Sequence, residues 1–111
     1  MTTKELIENL DLQALSQFEH REITGVFISD MLSDVMAGAK SGNLWITVQT
    51  HKNIIPAANL VDVSAVIVSN GKIVPLETIE LATRHHIALL TSNLMTFDLV
   101  GKLYNLGLAT R

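Results

Sequence analysis

The sequence predicts an α/β domain: a mostly parallel sheet of about four strands between helical layers, a three-layer α/β/α sandwich. Apolar, β-branched runs recur at 23–28, 44–48, 63–68 and 87–90, and stretches of helical periodicity follow them. Strands alternating with helices through short loops pair in parallel and are covered on both faces. The run from Val63 to Val68 is almost wholly apolar, as suits a strand buried on both sides. At 111 residues, 48% of them hydrophobic, the chain is long enough for one core and too short for two.

Taken in order, Thr3 with Glu5, Leu6, Ile7 and Leu10 predicts a short opening helix with a hydroxyl N-cap. From Asp11 to Glu22 the chain is polar and irregular, anchored by Leu12, Leu15 and Phe18. Ile23 to Ile28 is the first strand, and Ser29 or Asp30 is expected to cap a helix with Met31, Leu32, Val35, Met36 and Ala39 on its inner face. Ser41-Gly42-Asn43 closes that helix, and Leu44 to Val48 is the second strand. The next helix is expected to start near Asn53, which puts Pro56 in its first turn, where a missing N–H costs nothing. After the strand to Val68, Asn70-Gly71 reads as a tight turn with positive φ at the glycine. Pro75 opens a helix with Leu76, Ile79 and Ala82 facing inward. Ile87 to Leu90 is the fourth strand. Ser92 or Asn93 caps the last helix, with Leu94, Phe97, Val100, Leu103 and Tyr104 inward and Gly107 at the C′ position.

Composition narrows the function. High hydrophobicity with only 17% charged residues excludes a disordered tail, and the lack of cysteine excludes disulfides, thiolate metal sites and a cysteine nucleophile. A net charge of −3 and a pI near 5.7 argue against a nucleic-acid binder. The polar N-terminus lacks the basic start and apolar stretch of a signal peptide, and no run of about 20 apolar residues is present to span a bilayer. A cytoplasmic protein without nucleic-acid or membrane partners is expected.

Open α/β sheets bind ligands at the carboxyl ends of their strands, beside helix N-termini. That rule selects Ser29-Asp30, Gln49 to Asn53, Ser69 to Lys72 and Thr91 to Asn93, all rich in hydroxyls and amides. Such residues suit a phosphate cradle, and they are equally the ordinary residues of helix caps. Neither a Walker lysine pattern nor a G-x-G-x-x-G is present. His20, His51, His85 and His86 do not have zinc-ligand spacing; His85 and His86 complement a helix C-terminus instead. Asp30 reads as a cap and not as a phosphoacceptor, because the third strand ends in Ser69-Asn70 and lacks the second aspartate a receiver needs. Ser33 has no base placed to activate it. Trp45, alone in its strand, reads as core or interface.

The segments G-V-F-I-S-D-M-L-S-D-V-M-A (Gly25 to Ala37), L-W-I-T-V-Q-T-H-K-N-I-I (Leu44 to Ile55), A-V-I-V-S-N-G (Ala65 to Gly71) and L-T-S-N-L-M-T-F (Leu90 to Phe97) resemble the DRTGG domain family. The resemblance covers about residues 22–107, with residues 1–21 as an N-terminal helix and connector, and makes 1–111 a single domain. DRTGG domains accompany CBS domains in regulated pyrophosphatases, occur in some phosphate acetyltransferases, and resemble the N-terminal domain of HPr kinase. The positions matching Asp-Arg-Thr are Thr50, His51 and Lys52, and those matching Gly-Gly are Asn70 and Gly71, so only the final glycine is retained.

The resemblance implies a non-catalytic regulatory module, commonly a homodimer, that senses an adenine-nucleotide-type ligand or binds a partner enzyme or kinase. The motif-matching positions, together with Asn53 and Ser69 from the same turns, make Thr50, His51, Lys52, Asn53, Ser69, Asn70 and Gly71 the candidate ligand-binding residues, with no catalytic residue, resident cofactor or metal expected. The alternative is a small enzyme acting on a phosphorylated substrate at the same edge of the sheet.

Overall fold

The computed structural model describes residues 1–110. Four strands, β2 (Gly25–Ile28), β3 (Asn43–Thr47), β4 (Ala65–Val68) and β5 (Leu89–Thr91), run parallel and lie side by side in chain order. A fifth strand, β1 (Gln13–Ala14), pairs antiparallel with β5 at the edge, giving the order β1-β5-β4-β3-β2. The expected four-strand sheet is therefore corrected to five. A two-residue strand carries no periodicity, and β1 is made by its partner: Leu15 N–H donates to Leu89 O, and Ser16 Oγ accepts from Leu89 N–H.

Alternation along the strands builds the layers. Trp45, Val66, Val68 and Leu89 face one side, where they meet helices α2 (Leu32–Gly38), α3 (Ile54–Val61) and α4 (Leu76–Arg84). Leu44, Ile46, Ala65, Ile67 and Leu90 face the other, against α1 (Thr3–Leu10) and α5 (Thr96–Asn105). This is the expected three-layer sandwich. Trp45 is fully buried, and its indole N–H donates to Ser29 O at 2.8 Å, which makes it core.

The helices deviate from expectation in register and in caps. α1 is capped by Thr2, not Thr3: Thr2 Oγ1 accepts from Glu5 N–H, and the Glu5 carboxylate accepts from Thr2 N–H, a reciprocal capping box. In α2 only Val35 is buried, while Met31 and Met36 lie on the surface. In α4, Thr78 and Ala82 are buried and Leu76 is exposed. In α5, Leu99 and Leu103 are buried whereas Phe97 and Tyr104 are 87% and 74% exposed. The cause is common to all three: these amphipathic patterns offer more apolar side chains than one sheet face can cover, and packing against neighbours selects among them.

The turn signals hold. Asn70 and Gly71 have φ of 67° and 63°. α5 ends in a Schellman motif, with Leu108 N–H donating to Leu103 O and Gly107 N–H to Tyr104 O around a glycine at φ 91°. At the amino edge of the sheet, Arg21 forks onto both Asp62 carboxylate oxygens at 3.0 and 3.1 Å, and Ser41 Oγ donates to Asp62 Oδ2 at 2.5 Å. This ties the N-terminal connector to the ends of α2 and α3. No described helix is long and apolar enough to cross a membrane.

Candidate functional site

The four turns selected by the ligand rule all lie at the carboxyl edge of the sheet, and most of their polar groups have defined partners. Ser29 Oγ accepts from Met31 N–H, Thr47 Oγ1 from Gln49 N–H, and Ser92 Oγ from Leu94 N–H, each at 3.1 Å. The hydroxyl two residues back thus turns the chain out of three of the four parallel strands, β2, β3 and β5. Asp30 does not cap α2. Its Oδ1 accepts from Thr47 Oγ1 and Val48 N–H, both at 2.8 Å, and so fastens the end of β3 to the end of β2.

Thr50, His51, Lys52 and Asn53 lead into α3, as expected. His51 Nδ1 accepts from Asn53 N–H at 3.1 Å, His51 O from Ile54 N–H and Lys52 O from Ile55 N–H. The first amides of α3 are therefore engaged within the turn. Thr50 O accepts from the buried Thr78 Oγ1 at 2.8 Å, which seats the turn on α4. Lys52 Nζ donates to Glu77 Oε1 at 2.8 Å, and this hydrogen bond and the ammonium charge hold the Glu77 carboxyl below the usual range. The pair borders a groove of about 430 Å³ whose wall includes Leu76, Glu80, Leu81 and Arg84.

Ser69, Asn70 and Gly71 follow β4, the neighbour of β3, and Ser69 N–H donates to Thr47 O at 3.0 Å. Both turns therefore begin side by side and then part. The second binds the β5–α5 connection: Asn70 N–H donates to Leu94 O at 2.8 Å and Gly71 N–H to Ser92 O at 3.0 Å. Asn70 Oδ1 accepts from Thr96 N–H at 2.8 Å, and the fully buried Ser69 bonds Thr96 through their hydroxyls at 2.6 Å. The seven residues thus form two clusters, one joined to α4 and one to α5. Glu77, Thr78 and Thr96 complete them. These three escape a reading confined to the turns, because each sits inside a helix that only the tertiary fold brings alongside.

Chemically, the carboxyl edge offers two ammonium groups, Lys52 in an exposed ion pair and the exposed Lys72, with an imidazole, several hydroxyls and amides, and apolar side chains at Ile73, Leu76, Met95 and Phe97. Among the described residues no three His, Cys, Asp or Glu side chains gather as a metal site.

The chain superposes on the CBS and DRTGG domains of the regulatory region of Clostridium perfringens pyrophosphatase, solved in complex with its activator diadenosine tetraphosphate. The TM-score is 0.71 at 19% identity, covering 91% of this chain and 45% of that one. The fold is DRTGG-related. This chain spans less than half the length of that neighbour. No protein-family model and no curated protein matches the sequence.

Proposed function

We propose that this protein is a non-catalytic regulatory module that senses an adenine-nucleotide-type ligand at the carboxyl edge of its sheet and acts on a partner enzyme or kinase as a homodimer. The observation that carries the reading is the fold shared, over nine-tenths of the chain, with a regulatory region complexed with a dinucleotide activator.

The ligand surface proposed is Thr50, His51, Lys52 and Asn53 with Ser69, Asn70 and Gly71. Because the first α3 amides are engaged, the attraction for phosphate rests on side chains, above all Lys52. Its pair with Glu77 is exposed on both sides, and such pairs contribute only about 0–1 kcal/mol, so a polyphosphate can take the ammonium over at small cost. Exposed Ile73, Leu76, Met95 and Phe97 supply apolar surface for an adenine or for a second copy of the chain.

Isothermal titration with diadenosine tetraphosphate, ATP and AMP, on wild type and Lys52→Ala, tests the ligand. Saturable heat that Lys52→Ala weakens at least tenfold is expected. No heat at millimolar nucleotide would overturn sensing and leave a protein-interaction module. Light scattering tests the dimer, and a monomer at micromolar concentration would refute it.

A further inference from the structure

Among the parallel strands, β4 and β5 are neighbours whose following helices depart to opposite faces: α4 joins the core that holds Trp45 and Val66, α5 the core that holds Leu44 and Ile46. A divergence of this kind opens a crevice between strand ends. Here two side chains span it, Ser69, whose hydroxyl bonds that of Thr96 at 2.6 Å, and Asn70, which reaches the backbone of α5. Asn70 belongs to the β4–α4 turn, yet its backbone N–H donates to Leu94 O, and its Oδ1 takes the N–H of Thr96, the first residue of α5. α5 has no cap of its own, since its N-cap is Met95. The helix is therefore started by a residue 26 positions earlier in the chain. Asn70 is held in the left-handed region at φ 67°, which asparagine tolerates better than most L residues.

We propose that Asn70 is a latch: through its side chain, the β4–α4 turn, the β5–α5 connection and the first turn of α5 open and close as one unit. A displacement of the turn then reaches α5, whose outer surface presents Phe97 and Tyr104. This holds whether or not the turn binds a nucleotide. The competing account is an ordinary local cap, whose loss is felt at the Thr96 amide alone.

Native-state hydrogen exchange on the full chain separates the two, because local opening is read amide by amide. Asn70→Gly keeps the left-handed turn and removes the carboxamide, whereas Asn70→Asp keeps the acceptor. With rates corrected for intrinsic exchange, Asn70→Gly is expected to speed exchange of Gly71, Leu94 and Leu99, as well as Thr96, by roughly five- to tenfold, the scale of a lost cap. Ile67 and Leu89 in the sheet keep their wild-type protection, and Asn70→Asp restores it throughout. Acceleration confined to Thr96, acceleration equal in sheet and α5, or no acceleration would each overturn the latch.

Discussion

Asp62 offers a direct test of how the connector is tied down. Its carboxylate takes both branches of the Arg21 guanidinium and the hydroxyl of Ser41, while its backbone ends α3 in the left-handed region at φ 66°. Asp62→Asn keeps a residue that tolerates this backbone and an oxygen for Ser41, and removes the charge. The Ser41 hydrogen bond, then the Arg21 guanidinium, hold the Asp62 carboxyl below its ordinary value of 3.8. A carboxyl lowered on folding stabilises the native state above its unfolded pKa and loses that contribution as pH falls through the folded one. The side chains of Arg21 and Asp62 are 40% and 60% exposed, so solvent screens the pair. The bidentate geometry argues for the upper end of the exposed-pair range, about 1 kcal/mol. At pH 7, Asp62→Asn should therefore lower stability by about 1 kcal/mol, or roughly 4 °C in Tm. The deficit should shrink as pH drops below about 4. Glu5 and Glu77, also lowered, are common to both proteins and cancel in the difference. Urea unfolding followed by circular dichroism between pH 7 and pH 2.5 measures this. An equal deficit at both ends, or none at pH 7, would refute the charge-based account.

Three further substitutions probe the fold. Gly71→Val should cost about 1–3 kcal/mol through backbone strain at φ 63°, because an added Cβ would meet Asn93 only at an ordinary 3.6 Å; an unchanged Tm would show that the turn is not left-handed. Gly42→Ala should cost more than Gly71→Ala, since φ is 84° and the Cβ would sit 2.7 Å from Thr24 Oγ1. Thermal melts that rank them the other way would contradict the packing around Thr24. Trp45→Phe removes the indole bond to Ser29 O and leaves a void in the core, for a loss of about 2–3 kcal/mol in urea unfolding. A loss below about 1 kcal/mol would mean that the bond is replaced.

Sheet and helices were legible in the sequence where local chemistry acts alone. Val63–Val68, Asn70-Gly71, Pro56 in the first turn of α3 and Gly107 at C′ each state their conformation through their own side chain or its absence. What stayed hidden depends on neighbours. β1 exists because β5 offers Leu90 and Thr91 as its partners, with Leu15 and Ser16 held to Leu89 just beyond it. Met36, Leu76 and Phe97 lie outside the inner faces of α2, α4 and α5, because periodicity shows that an apolar stripe exists without choosing which of two overlapping stripes the sheet covers. The candidate site divides the same way. Its turns could be placed from strand ends, and the adjacency of β3 and β4 brings them together at their roots. The capture of Lys52 by Glu77 and of Asn70 by Thr96 spans 25 and 26 residues and has no local signature.

The proposed sensing of an adenine dinucleotide at the carboxyl edge of the sheet is open to direct observation. Titrating ¹⁵N-labelled protein with diadenosine tetraphosphate and following amide shifts tests it most directly. Saturable shifts centred on Thr50–Asn53 and Ser69–Gly71 are expected, with Lys52→Ala weakening them. Shifts centred elsewhere, or none at millimolar ligand, would contradict it.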